Sequence, residues 1–231
     1  MLKRFSVLIA AAVITLSTVT AQTGRGEMTP EQLYLQETIE LMIIRETARS
    51  QSREQKLIAL EYIGEALDRG STNDELRQTL QYLVEEGTRS VTRENNRVVN
   101  NFPDVRRRSA RLLGQVGTEE ATNSLLGILE FESEPMVITE AIKSLGDIGI
   151  NNNDRTIIGI IQVARRNDSL NRDNQIALAT IDAFEKIARK DGALTNPEAI
   201  QLLMRISEGT YITPIKERAR QLLADLRTMG R

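Results

Sequence analysis

The chain has 231 residues, a formal net charge of −2, no cysteine and no histidine. The two missing residue types exclude disulfides, thiolate and imidazole metal ligands, and the Ser-His-Asp and Cys-His types of nucleophilic site. The weakly acidic balance is not that of a nucleic-acid-binding protein, which carries a strong basic surface. Only 3% of the residues are aromatic, so the apolar side chains are nearly all aliphatic and suit thin layers of packed helices.

The N-terminus has the order of a secretory signal. A basic pair, Lys3-Arg4, precedes an uncharged apolar run from Phe5 to about Val19, and small residues stand just before Gln22. The run is shorter than the roughly 20 residues that a membrane span needs. We therefore predict a cleaved signal peptide over residues 1–21 and an exported protein, periplasmic or secreted. Since the chain has no cysteine, it is not a lipoprotein, and after cleavage we do not expect an integral membrane protein.

The mature chain divides into three parts. We predict a flexible leader over residues 22–28, an N-terminal capping helix within residues 29–52, and a repeat domain over residues 53–230. The capping helix is predicted from Thr29-Pro30-Glu31, because a threonine followed by proline and an acidic residue is typical of a helix start.

A pattern recurs along this third part. Its clearest copies cover residues 105–117 and 137–149 and contain a central glycine, at Gly114 and Gly146. Small or apolar residues lie nine, five and one positions before this anchor and two positions after it, so they share one face of a helix. The small anchor allows a neighbouring helix to approach closely. Weaker copies are anchored at Gly64, Glu185 and Ala224.

Each interval between anchors also contains a second amphipathic helix. The pattern predicts these helices over about residues 74–86, 119–130, 154–165 and 197–207, with a last helix from 213 to about 229. Neither helix of a pair can bury its apolar face alone, whereas stacked pairs form one continuous core. The sequence thus predicts about four and a half repeats of two helices.

The copy that begins Pro103-Asp104-Val105-Arg106 and ends at Gly117 resembles the HEAT-like repeat of the phycobilisome-lyase type, as does the copy from Pro135 to Gly149. The resemblance implies an all-α fold, a right-handed α-solenoid of HEAT-like helical hairpins with a curved, groove-bearing surface. It also implies that Arg106 packs between repeats. It does not carry a function, because scaffolds, adaptors and lyase subunits share this repeat.

One interval is longer than the others and holds a polar insertion over residues 88–102, rich in arginine together with the helix that follows. Insertions in solenoids form loops on one side, which is often a binding side. Arg93 and Arg97 are four residues apart, a spacing that permits a short extra helix, and Arg107 and Arg111 share a helix face. The arginine fork suits carboxylate or phosphate. The candidate partner-binding residues are Arg93, Arg97, Arg107, Arg108 and Arg111.

These observations favour a non-catalytic extracytoplasmic scaffold or adaptor that binds a protein partner through the solenoid groove and the insertion. One alternative is an envelope ligand binder that recognises an anionic lipid or glycan through the arginines. Another is an enzyme subunit similar to the bilin lyases. We expect no catalytic residue, cofactor, metal or nucleic-acid partner. In the structural alternative for the arginines, they are solvated or pair with neighbouring carboxylates.

Overall fold

A computed structural model describes residues 29–71, 73–170 and 172–229 of the chain. The predicted signal peptide and leader lie outside these residues. The described part contains ten α-helices and one two-stranded hairpin. The helices are α1 (Pro30–Arg49), α2 (Arg53–Asp68), α3 (Asp74–Glu85), α4 (Pro103–Val116), α5 (Glu119–Phe131), α6 (Pro135–Ile148), α7 (Arg155–Leu170), α8 (Asn174–Asp191), α9 (Pro197–Glu208) and α10 (Thr213–Met229).

The helices begin and end at local signals. Thr29 and Gln32 form a capping box at the start of α1, and the Thr118 hydroxyl accepts a hydrogen bond from the backbone of α5. α4 and α6 end at Gly117 and Gly149, whose φ values of 70° and 63° lie in the left-handed region that glycine favours. The helix predicted from Thr29-Pro30-Glu31 therefore begins where the sequence indicated.

The helices form two layers. We call α2, α4, α6, α8 and α10 the A layer, because each packs beside the next, and α1, α3, α5, α7 and α9 the B layer. Each B-layer helix also packs against the A-layer helix that follows it. One hydrophobic cluster of aliphatic side chains runs between the layers from Ile44 to Leu222. This is the predicted all-α solenoid, and α1 occupies the same place in its hairpin as the later B-layer helices.

The anchor glycines are the contact points between successive A-layer helices. A Cβ atom at Gly114 would lie 2.8 Å from Cβ of Ser144, and one at Gly146 would lie 2.7 Å from Cα of Ala183. At Gly64 the nearest atom, Cδ2 of Leu112, would be 3.6 Å away. The residue two positions before each anchor thus packs onto the anchor of the preceding repeat.

The insertion forms a β-hairpin. The interpretation of the spacing of Arg93 and Arg97 as a short helix was therefore wrong. Strands β1 (Arg93–Glu94) and β2 (Arg97–Val98) pair antiparallel. The turn between them is Asn95-Asn96, with φ values of 48° and 66°. Two residues with positive φ make the tight turn that matches the twist of a hairpin, and asparagine tolerates this conformation better than most residues.

Among the described helices, none is both long and apolar enough to cross a membrane.

Candidate functional site

Arg111 is part of the contact between two repeats. Its Nε donates to Oε1 of Glu140 at 2.7 Å and its Nη2 to Oε2 at 3.2 Å, which joins α4 to α6. These hydrogen bonds raise the pKa of the Arg111 guanidinium. Similar ion pairs join the other neighbouring A-layer helices: Arg53 with Asp104, Lys186 with Asp147, and Arg218 with Asp182 and Glu185.

The other four candidate arginines differ from Arg111 in their surroundings. Arg107 is exposed and Arg108 half-buried on α4, and neither forms an ion pair with another described residue. Arg93 and Arg97 are exposed on the hairpin, where Arg93 is opposite Val98 and Arg97 is opposite Glu94. Because side chains alternate along a strand, the two arginines point to opposite faces of the ribbon. Their role in binding stays a prediction.

Arg106 is the arginine that the structure buries, with 2% of its surface exposed. Its Nε and Nη2 donate to the carboxylate of Glu132 at 2.7 and 3.2 Å, and its Nη1 donates to Oδ1 of Asn101 at 2.8 Å and to the carbonyl of Glu86 at 3.3 Å. This one side chain joins the end of α3, the insertion and the loop after α5. It packs between repeats, as the resemblance implies.

Lys56 has the same function one repeat earlier. It lies eight residues before its anchor, as Arg106 does, and is fully buried. Its Nζ donates to the carbonyl of Ala48 near the end of α1, lies 2.9 Å from Oε2 of Glu86, and sits over the ring of Tyr82. Cations near the C-terminal carbonyls of a helix stabilise the helix dipole. The shared position in the repeat was the signal in the sequence that could have predicted this role.

The base of the insertion is firmly bound to the solenoid. The side chain of Asn100 donates to the carbonyl of Ser90 at 2.8 Å and accepts from the backbone of Thr92 at 2.9 Å. Gly87, with φ of 76°, lies so close that a Cβ atom there would be 2.5 Å from the Asn100 carbonyl oxygen. The insertion is therefore an ordered projection in which the base is held and the tip is exposed.

An open groove lies on the B layer between α5 and α7. It has a volume of about 560 Å³. Gly127 and Gly159, at equivalent positions of the two helices, lie along it and let the side chains of Arg89 and Leu126 pack closely against them. Its apolar lining comes from Leu126, Leu129, Ile158 and Val163, and its polar lining from Arg89, Asn123, Glu130, Arg155, Gln162 and Arg166.

The insertion supplies one wall of this groove. The Arg89 guanidinium lies 3.1 Å from the position that a Cβ of Gly127 would take. It also lies 5.3 Å from the ring centre of Phe131, which is 55% exposed, and pairs with Glu85 at 3.2 Å. We call this surface, the groove with Arg89 and Phe131 at its rim, the B-layer groove.

The remaining arginines of the B-layer groove are held in position by neutral acceptors. Arg155 donates to Oδ1 of Asn123 at 2.6 Å, and Arg166 donates to the carbonyls of Leu129, Glu130 and Glu132 at 3.0 Å each. Since backbone and amide oxygens do not neutralise them, the groove keeps an excess of positive charge. These two arginines could not be predicted from the sequence as groove residues, because they reach the groove only when α5 and α7 stack.

The carboxylate of Asp168 joins the last repeats, because two arginines and one tyrosine hydroxyl bind to it. Arg172 lies at 2.7 Å, Arg205 at 2.9 Å and the Tyr211 hydroxyl at 2.8 Å from its oxygens. Burial alone would raise the pKa of Asp168, but these hydrogen bonds and charges lower it. Burial, followed by the bond to Asp168, raises the pKa of Tyr211. The cluster is built for stability, since each group is already paired.

Over residues 29–71, 73–170 and 172–229, no group of three acidic side chains is placed to hold a metal ion.

Comparisons with known proteins agree with the fold. Residues 97–179 match the family model described as HEAT repeats. An uncharacterized protein of Treponema pallidum (strain Nichols) is 28% identical over 121 residues, which cover 52% of this chain and only 22% of that protein. A solved structure, the complex of CpcE and CpcF of phycocyanin lyase from Nostoc sp. PCC7120, aligns with a TM-score of 0.56 and 18% identity, over 94% of this chain and 72% of that chain.

The two layers of stacked hairpins define a helical-repeat solenoid. The matched family model then specifies the type of repeat: residues 97–179 are HEAT-like repeats, and the solved neighbour shares the fold.

Proposed function

We propose that this protein is a non-catalytic scaffold that binds a protein partner through the B-layer groove and the adjoining insertion. The groove itself carries the proposal. It is an open channel of about 560 Å³ with an apolar lining and fixed arginines at its edge. A partner segment could place an apolar side chain against Ile158 and acidic or carbonyl groups against the arginines. Enzymes and small-ligand binders more often enclose their ligands.

The charge of the B-layer groove suits an acidic segment. Arg89, Arg155 and Arg166 share the groove with one exposed acid, Glu130, while Arg89 is also paired with Glu85. The guanidinium groups are already oriented by their hydrogen bonds, so little side-chain entropy is lost when a carboxylate binds. The same charge would serve an anionic lipid or glycan of the cell envelope, which is the alternative ligand for this groove.

A lyase-like enzyme subunit is the second candidate. Its support is the likeness to a chain from the phycocyanin lyase complex. At 18% identity this likeness extends to the fold alone, and the present chain has neither histidine nor cysteine to supply the common nucleophiles and bases.

We place the scaffold outside the cytoplasm, on the basis of the basic pair, apolar run and small residues at the N-terminus. N-terminal sequencing of the protein isolated from its own cells tests this placement. A chain that begins at Gln22 in the exported fraction supports it. A chain that retains residues 1–21 in the cytosolic fraction contradicts it and leaves the groove proposal unaffected.

The binding proposal is tested by capture of partners from the envelope fraction, followed by titration of the captured partner against single variants. Ile158→Lys replaces a 43% exposed side chain of the groove, and Ile212→Lys makes the same change at a 54% exposed position beyond α9. We expect at least about a tenfold loss of affinity for the first variant and none for the second. An equal effect of both variants contradicts the assignment to the B-layer groove.

Four of the five predicted arginines are tested in the same titration. Arg93→Ala/Arg97→Ala removes the charges of the hairpin, and Arg107→Ala/Arg108→Ala removes those of α4. A partner that spans the B-layer groove and the insertion loses affinity with the first pair and not with the second. A loss confined to the second pair moves the binding surface to the A layer.

A further inference from the structure

Exposed apolar side chains are concentrated at the N-terminal end of the solenoid. In the described part of the chain, seven of the sixteen large hydrophobic residues that are exposed lie on α1 and α2, two of its ten helices. They are exposed by 39% to 71% and lie mainly on the outer side of α1. The seven residues, which we call the N-terminal face, are Tyr34, Leu35, Ile39, Met42, Ile43, Ile58 and Tyr62.

The repeat pattern indicates that another repeat could stack on this face. Tyr62 lies two residues before its anchor, Gly64, in the position that Leu112, Ser144 and Ala183 occupy in the next three repeats. Those three side chains pack onto the anchor of the preceding repeat. Since successive residues of a helix are about 100° apart, Tyr62 points nearly opposite to Gly64. It therefore faces the place of a further repeat, which the described residues do not contain.

The other end of the solenoid differs in chemistry. The exposed residues of α10 are mostly polar or charged and include Glu217, Arg220, Gln221 and Arg227. Head-to-tail stacking of two chains would bury these charges against the N-terminal face at a large desolvation cost. A head-to-head contact, in contrast, brings two apolar faces together.

A two-fold axis through α1 also matches charges. Leu35, Ile39 and Met42 follow the spacing of four and three residues that is typical of a helix-packing seam. Ile39 lies at the middle of α1, which has 20 residues, with Glu31 in its first turn and Arg49 in its last turn. When two copies of α1 pack antiparallel, Glu31 of each lies beside Arg49 of the other.

We propose that the N-terminal face binds the same face of a second copy of this chain, forming a two-fold dimer. The helix pair α1–α2 presents a surface about 30 Å long and about 20 Å wide, from the rise and diameter of a helix. This corresponds to about 600 Å² from each copy, near the lower end of stable interfaces. The dimer would display two B-layer grooves, one in each copy, without requiring that either has a ligand.

Sedimentation equilibrium of the full chain, as processed by its own cells, tests the dimer. We expect twice the mass of one chain at about 100 µM and dissociation on dilution towards about 1 µM. Ile39→Lys should give a folded monomer at all these concentrations, because it places a charge at the centre of the interface. Met204→Lys is the matched control: Met204 is 48% exposed on α9, and its replacement should leave the dimer intact.

Cross-linking locates the contact independently. Because the chain has no cysteine, Ile39→Cys introduces a single thiol close to the proposed axis, where two copies lie within the reach of a disulfide. We expect a disulfide-linked dimer under mild oxidation, and none with Met204→Cys.

A wild-type chain that stays monomeric at about 100 µM overturns the proposal. So does a dimer that persists in Ile39→Lys, or one in which Ile39→Cys cross-links no faster than Met204→Cys. Protection of the Ile39→Cys thiol from a soluble reagent in a monomer would assign the face to residues 1–28 of the same chain. If the chain does not form the dimer, the titration of the groove variants still tests the proposed function, because Ile158 on α7 lies far from α1 along the solenoid.

Discussion

Arg106 and Arg107 are neighbours in the sequence but have opposite environments. Arg106 is buried and its guanidinium is shared among Glu132, Asn101 and the carbonyl of Glu86, whereas Arg107 is exposed. The carboxylate of Glu132 is itself 1% exposed. A buried ion pair contributes little net stability compared with apolar residues, but the loss of one partner leaves a buried charge without compensation. The charge of an arginine alone therefore does not indicate its role.

Arg106→Ala should lower the free energy of unfolding by about 3 to 5 kcal/mol, because Glu132 would stay buried without its partner. Arg107→Ala should change it by less than about 0.5 kcal/mol. Urea denaturation followed by circular dichroism measures both variants. Equal effects would contradict the assignment of Arg106 as the buried link between repeats.

At the scale of elements, the insertion depends on close backbone packing. Gly87 and Gly70 both end helical segments with positive φ, of 76° and 84°. A Cβ atom at Gly87 would collide with the backbone of Asn100 and Asn101, while one at Gly70 would meet nothing within 4 Å. Any L-residue would be strained by the left-handed conformation at both positions, but only a side chain at position 87 would also collide with neighbouring backbone atoms.

Gly87→Ala should thus destabilise the insertion by more than the strain of the left-handed conformation alone. We expect Gly70→Ala to cost about 1 to 2 kcal/mol, and Gly87→Ala to cost more and to speed hydrogen exchange at residues 88–102. Hydrogen exchange by mass spectrometry measures the local effect. Unchanged exchange of the insertion in Gly87→Ala would show that its base is not held through this contact.

At the scale of the whole molecule, stacking is uneven along the solenoid. Gly64 and Gly146 have the same place in the repeat, but the surrounding space differs. At Gly146 a Cβ atom meets the backbone of α8 at 2.7 Å, and at Gly64 it makes an ordinary contact of 3.6 Å with Leu112. In a solenoid each repeat contacts only its neighbours, so a local change affects one interface at a time.

Gly64→Ala should raise the free energy of unfolding by about 0.5 to 1 kcal/mol, because alanine favours a helix interior and has room there. Gly146→Ala should lower it, because α6 and α8 must separate. Thermal unfolding of the two variants tests this opposite pair of signs. A stabilised Gly146→Ala would mean that the two helices are less closely packed than the structure places them.

Helix positions could be predicted from the sequence, whereas the conformation of the insertion could not. The helices over about residues 119–130 and 197–207 were predicted correctly, because their starts after Thr118 and Asn196 depend on a few adjacent residues. The insertion at residues 88–102 was located, but its conformation was not. Asn95-Asn96 is a local turn signal, and it was overlooked in favour of the four-residue spacing of Arg93 and Arg97.

By itself, the sequence determined the helices, their order and the solenoid, because a repeated apolar spacing of three and four residues allows no other way to bury one face of every helix. Only the tertiary structure decided which charged side chains form ion pairs and which are exposed without one. The partner of Arg106 is 26 residues away and that of Arg111 is 29 residues away, each in the next hairpin. The B-layer groove likewise exists only where α5, α7 and the insertion meet, since residues distant in the chain become neighbours through stacking.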